Sequence, residues 1–254
     1  MHTFSSMSPR TGRSQLFDQL FPIRPSDLAN MFVITAQMFA QPGKINTVVE
    51  ALKPEAAAVK TNEDRASAYY FFTGREEPHT SVAFGIEIYE DRADLEKTHN
   101  ESASFKTLVA NARPSCTRDF VLEEFEPADV GFLLRPGGYS KQQSKDATPM
   151  FAYFTTAPGK REAVIDKLRP LAAEVEAKEP NCWSYKFFRG LQDENRFVIF
   201  ERYASLPDLK DTHNSGKTFN DVFAELDKLG WVKEKTLIVG EEPGSGPLGF
   251  LERS

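Results

Sequence analysis

The stretch Glu201-Arg202-Tyr203-Ala204-Ser205-Leu206-Pro207-Asp208-Leu209-Lys210-Asp211-Thr212-His213-Asn214 decides how this chain folds, because most of its pattern has already occurred once. Glu87, Tyr89, Asp94-Leu95 and Thr98-His99-Asn100 match Glu201, Tyr203, Asp208-Leu209 and Thr212-His213-Asn214, each 114 positions earlier. Working outward, Phe105 matches Phe219 at the same spacing. Toward the N-terminus the spacing becomes 116: Pro42-Gly43-Lys44 with Pro158-Gly159-Lys160, Leu52-Lys53-Pro54 with Leu168-Arg169-Pro170, and Phe71-Phe72 with Phe187-Phe188. One longer hairpin loop, Thr73 to Ser81, accounts for the two-residue change. A single long period of this kind signals a duplicated domain rather than a solenoid.

Each copy has the same order of elements. An apolar run, Met31 to Ala40 or Met150 to Ala157, stops at Pro-Gly and reads as a strand and turn. A helix follows, because Ile45, Val48, Val49, Leu52, Ala56 and Val59 form one apolar stripe that Val164, Ile165, Leu168, Leu171, Ala172 and Val175 repeat. Pro54 and Pro170 interrupt both helices at equivalent points and are expected to bend them. Two β-rich runs then make a hairpin: Ser67 to Phe72 with Ser81 to Tyr89, and Cys182 to Phe188 with Arg196 to Tyr203. Ser205 to Asp208 has capping-box form and opens a second helix carrying Leu209 and His213 at i, i+4, with Asp91, Leu95 and His99 as counterparts. A last strand, Thr117 to Phe125 or Lys233 to Val239, completes β-α-β-β-α-β.

The expected fold class is therefore α+β, with tandem ferredoxin-like units forming an intrachain pseudo-dimeric α/β barrel. One such unit leaves a sheet face uncovered, and the second copy supplies the sheet that buries it. The expected organisation is an N-terminal extension over 1–30, repeat 1 over 31–127, a linker over 128–149 rich in Gly, Lys and Gln, repeat 2 over 150–241 and a tail over 242–254. Residues 1–30 lack the apolar core of a secretory signal, and Asp18 and Asp27 weaken a mitochondrial presequence reading.

Composition narrows the function classes. With 254 residues, 31 Lys+Arg against 37 Asp+Glu and a formal charge of −6, the chain has no basic excess for a phosphate backbone, so no nucleic-acid partner is expected. No apolar run approaches the roughly 20 residues of a membrane helix, so no membrane partner is expected either. Cys116 and Cys182 are too few for a disulfide framework or a four-ligand zinc site, which fits a reducing, cytoplasmic location. The 21 Phe against 7 Tyr and 2 Trp must fill a core or line an apolar cavity.

In the second copy, Leu168-Arg169-Pro170-Leu171, then Glu179-Pro180-Asn181-Cys182-Trp183-Ser184-Tyr185, Glu201-Arg202-Tyr203 and Leu209-x-x-x-His213 resemble the antibiotic biosynthesis monooxygenase (ABM) family of the dimeric α/β-barrel superfamily. Asn181 stands where that family usually has Gly. The first copy is more diverged, with Glu63-Asp64-Arg65-Ala66-Ser67 at the same turn. The resemblance implies a monooxygenase, an oxidoreductase that oxygenates a hydrophobic phenolic, quinol or polyketide-like aromatic with O2 and no cofactor. It also implies a barrel normally built from two chains, here expected as a monomeric pseudo-dimer, with further homo-oligomerisation left open. Haem-degrading members of the superfamily carry an axial histidine beyond the Thr-His-Asn position and an asparagine on the first strand. Val109, Phe223, Ala36 and Ala152 occupy those places, so haem is not expected.

The site expectations centre on His213 and His99 as proton acceptors, since imidazole titrates near neutrality and both lie on the apolar helix face. The competing reading is a histidine that only packs. Tyr185, Trp183, Tyr69, Asn214, Asn100, Phe219 and Phe105 are the expected substrate contacts, with core tyrosines and helix-capping asparagines as alternatives. No ligand-spaced cluster of His, Asp or Glu appears, so no metal is expected. Two further readings share the fold: a non-oxygenating cyclase, and a non-catalytic ligand-binding or stress-response module.

Overall fold

The computed structural model describes residues 31–244 and 246–252, so the expectations for 1–30 and for the very end of the tail lie outside the described residues. Repeat 1 comprises β1 (Phe32–Phe39), α1 (Ile45–Asn62), β2 (Ala66–Gly74), β3 (Val82–Tyr89), a π-helical turn (Asp94–His99), α2 (Ala103–Ala112) and β4 (Val121–Phe132). Repeat 2 follows with β5 (Thr148–Thr156), α3 (Arg161–Lys178), β6 (Cys182–Gly190), β7 (Arg196–Tyr203), a second π turn (Asp208–His213), α4 (Lys217–Leu229), β8 (Val232–Glu241) and β9 (Leu248–Phe250). The tandem β-α-β-β-α-β order is as expected. Both α1 and α3 continue past Pro54 and Pro170.

All strand pairs are antiparallel, and β3 and β8 both pair with β2, so β2-β3-β1-β4-β6-β7-β5-β8 closes into a barrel. The closure depends on exchange. β4 leaves its own repeat to pair with β6, first Phe125–Pro127 with Gly190–Phe188 and then, past a bulge, Gly131–Phe132 with Lys186–Tyr185. In the opposite seam β8 gives Gly240 and Glu241 to β2, and β9 pairs Leu248–Phe250 with Phe71–Tyr69. One long bulged strand on one side is thus two shorter strands on the other. The strand expected to stop at Phe125 continues to Phe132, into the stretch read as linker, because its second half buries itself against the other repeat.

Strand alternation sorts the aromatics into three cores. Tyr69 and Phe71 face α1, Tyr185 and Phe187 face α3, while Tyr70, Phe72, Phe84, Phe151, Phe188 and Phe200 fill the barrel interior. Full burial of each such ring contributes roughly 2–3 kcal/mol. Arg202 is also wholly buried there; its guanidinium donates to Glu242 Oε1 at 2.7 Å and to the Gln142 carbonyl at 2.5 Å. Cys116 and Cys182 are free and buried.

The start of α2 rests on one hydroxyl. Ser102 Oγ accepts the Phe105 N–H at 3.0 Å, whereas Gly216 opens α4 without a side-chain cap. Ser102→Ala is expected to lower unfolding free energy by about 1 kcal/mol, read from urea melts; no change would remove this cap from the stability of repeat 1.

Candidate functional site

A local device written twice in the sequence positions each histidine. Ser205 Oγ accepts the Asp208 N–H at 3.4 Å and donates to the Asp208 carboxylate, fixing the start of the turn. Leu209, 1% exposed, anchors it in the core. The Asn214 N–H then reaches five residues back to the Leu209 carbonyl at 3.0 Å, and Asn100 reaches Leu95 at 2.9 Å. The expected continuous second helix is therefore split: a π turn ends at the histidine, and α2 or α4 starts anew. Such turns often mark functional positions, because the wider spacing re-aims one side chain.

Each histidine is 1% exposed. His213 Nδ1 lies 3.2 and 3.1 Å from the two Glu179 oxygens, and His99 Nδ1 lies 3.2 and 3.1 Å from those of Glu63. An ionised carboxylate only accepts, so Nδ1 carries the proton and Nε2 holds the basic lone pair of the neutral ring. Around His213, ring centroids lie at 5.3 Å for Tyr185, 5.6 Å for Tyr203 and 5.0 Å for Phe219. Around His99, Tyr69, Tyr89 and Phe105 stand at 5.5, 5.8 and 4.7 Å. Tyr203 donates to Glu201 and Tyr89 to Glu87, both at 2.6 Å.

Burial opposes charging either ring. The Glu179 hydrogen bond with the Glu201 and Glu179 charges outweighs it at His213, and Glu63, Glu87 and Glu55 do so at His99, leaving both pKa values above 6.5. Burial also raises the Glu87 and Glu201 carboxyls, against the lowering pull of the histidines and tyrosines. The Tyr185 and Tyr203 hydroxyls are pushed well above 10 by burial and stay neutral donors.

His99, His213, Glu87 and Glu201 all hold protons more tightly when folded. The histidine contribution is complete below pH 6.5 and is lost as pH rises through the raised folded values; the raised carboxyls act with the same sign from lower pH. The melting temperature is accordingly expected to fall by a few degrees from pH 6 to pH 8. A flat or rising profile would show that these pairs do not load the native state with protons.

Of the residues singled out from sequence, His213, Tyr185 and Phe219 come together, as do His99, Tyr69 and Phe105. Trp183 does not join them. A β-bulge between Cys182 and Ser184 makes it the extra residue, which breaks the alternation, and its ring lies 4.9 Å from the Arg202 guanidinium. Asn214 is exposed and Asn100 half-buried, and their backbone N–H groups close the π turns. Sequence reasoning missed Glu63 and Glu179. Their signal was recurrence: both stand 116 residues apart at the end of the first helix, as the histidines recur at the end of the π turn.

The expectation of no metal-ligand cluster needs correction in repeat 1. Glu55, Glu63 and His99 are all buried, and one ligating atom from each lies within 4.8 Å of the others. Linear spacing concealed them, because they come from mid-α1, its C-cap and the π turn.

Residues 150–224, most of the second repeat, match the model of the antibiotic biosynthesis monooxygenase (ABM) family. No curated protein matches the chain in sequence. A solved protein from Lactobacillus acidophilus NCFM, provisionally named a monooxygenase, is similar at TM-score 0.68 and 11% identity, over 89% of this chain and 98% of its own. One from Fusobacterium nucleatum with the same provisional name reaches TM-score 0.71 at 13% identity, over 84% and 92%. An anthrone oxidase-like protein gives TM-score 0.60 at 14% identity, over 84% and 91%. At such identities the likeness is one of fold, and it spans both repeats. No helix among the described residues is long and apolar enough to cross a membrane.

Proposed function

We propose that the chain is an ABM-type monooxygenase that oxygenates a hydrophobic phenolic, quinol or polyketide-like aromatic with O2, using His213 as base and His99 as its counterpart in repeat 1. The observation that carries this reading is the recurrence of one constellation: a buried imidazole whose Nδ1–H is held by a glutamate, with three aromatic rings around it. The glutamate fixes the tautomer and raises the basicity of Nε2. Removing a proton from a phenol or enol leaves an electron-rich anion that can itself reduce O2. One oxygen atom then enters the product and the other leaves as water, with the extra reducing equivalents drawn from the substrate. The surrounding rings supply an apolar wall for a planar substrate, and the neutral Tyr185 hydroxyl is a donor for the anion.

The test is oxygen uptake by purified protein, freed of flavin and metal, with a panel of anthrones and quinols. Uptake coupled to one product supports the reading, and its absence across the panel overturns it. A second reading, a ligand-binding module with structural histidines, is favoured by their near-complete burial. It expects His213→Gln to lower the melting temperature while ligand affinity stays unchanged.

A further inference from the structure

The two histidine sites differ at one position. Glu63, Glu87, Tyr89 and His99 recur as Glu179, Glu201, Tyr203 and His213, but Glu55 of α1 corresponds to Leu171 of α3. Leu171 is an ordinary core residue, 2% exposed, so the fold does not need an acid there. Glu55 is nevertheless 1% exposed; the Ser104 hydroxyl and His99 are its polar neighbours, and neither of its carboxylate oxygens has a hydrogen-bond partner of good geometry. The ring nitrogen that faces Glu55 and Glu63 is His99 Nδ1, whereas the buried Nε2 on the other side of the ring has no partner. Burying a polar side chain without a well-aligned partner is costly, and a bound cation would offset that cost.

The surroundings specify the ligand. His99 Nδ1 lies 3.1 Å from Glu63 Oε2 and 3.7 Å from Glu55 Oε1. Glu87 adds a third acidic group to the same environment, so three carboxyls face one imidazole. Two carboxylate oxygens and one imidazole nitrogen are the donors of Zn2+, Mn2+, Fe2+ or Co2+, and three protein ligands leave positions for water. A cavity of about 120 Å³ lies on the outer side of Glu63, lined also by Arg65, Tyr89, Asp94 and Thr98.

We propose that repeat 1 binds a divalent first-row metal ion through Glu55, Glu63 and His99. The ion takes the place of the proton shared between His99 and Glu63. The two halves then differ: repeat 2, with Leu171, has only the proton-accepting histidine, whereas in repeat 1 His99 is the counterpart base in the metal-free chain and a ligand once the ion is bound. The assignment does not depend on the oxygenase reading.

The test uses the full chain, stripped with chelator and titrated with Zn2+ by calorimetry and with Co2+ by visible absorption. One equivalent per chain is expected, with Co2+ bands of a site containing nitrogen and oxygen ligands. Glu55→Leu, which installs the residue repeat 2 already uses, should keep the native melting transition and weaken Zn2+ about 100-fold or more, since even outer-sphere partners cost 10- to 100-fold. Glu55→Gln serves as the isosteric second variant and should weaken binding in the same direction. Absence of binding by the parent chain, or an affinity unchanged in both folded variants, overturns the proposal. Because binding is read without substrate and oxygen uptake is read on metal-free protein, either proposal can fail alone.

Discussion

His213→Gln is expected to lower the rate of oxygen uptake about 10²- to 10⁴-fold, the usual range for loss of a positioned base. The glutamine amide can still donate to Glu179, so folding is expected to survive while the basic Nε2 lone pair is lost. His99→Gln should cost less, because Glu55 already loads that ring with a second carboxylate at 3.7 Å. The pH profile separates a catalytic base from a packed ring. A base must be neutral to act, so the wild-type rate should rise with pH through a pKa above 6.5, where Glu179 and Glu201 hold it. In Glu179→Gln that support is gone, and the rise should move to lower pH with a smaller plateau. If His213→Gln retains full uptake, or loses it only in proportion to unfolded protein, the histidine is structural.

The duplication was legible because both copies face the same packing problem and keep the same answers at matched positions. Alternation along β2 and β6 was legible for a similar reason: successive side chains point to opposite faces, so Tyr69 with Phe71 and Tyr70 with Phe72 had to part company, one pair under α1 and the other inside the barrel. Other features were hidden by physics that a linear pattern does not carry. Glu179 precedes His213 by 34 residues, and only the closing of helix, hairpin and turn brings them into contact. The π turn differs from an α-helix by a single hydrogen-bond choice at Asn100 and Asn214, which periodicity over six residues cannot resolve. Trp183 was misplaced because a bulge shifts the face of one residue without changing composition. The strand beyond Phe125 looked like a linker because its partner lies in the other repeat.

Gly131→Ala and Gly249→Ala are expected to be the most damaging single-methyl changes in the chain. Gly131 has φ +75° and sits where a Cβ would lie 1.8 Å from the Tyr185 carbonyl oxygen; Gly249 has φ +108° and its Cβ would lie 1.9 Å from that of Tyr69. Tyr69 and Tyr185 are repeat mates, so the two contacts are the same feature at the two seams where one repeat's strand crosses to the other. Each substitution adds left-handed strain of about 1–2 kcal/mol to a collision with backbone that cannot rotate away. The strand must lift, and the seam opens. A loss of about 4 kcal/mol or more is expected in urea melts, against a total of roughly 5–15 kcal/mol for a folded domain. Gly159→Ala is the matched control: its φ is +69°, but nothing lies within 4 Å of a new Cβ, so only the strain of about 1–2 kcal/mol should appear. If Gly131→Ala proves as mild as Gly159→Ala, the crossed strand does not hold the repeats together. If it is severe, the effect extends to chemistry as well as stability. The carbonyl against Gly131 belongs to Tyr185, whose ring packs 5.3 Å from His213. The same seam that makes one barrel from two repeats then sets the wall of the repeat 2 site.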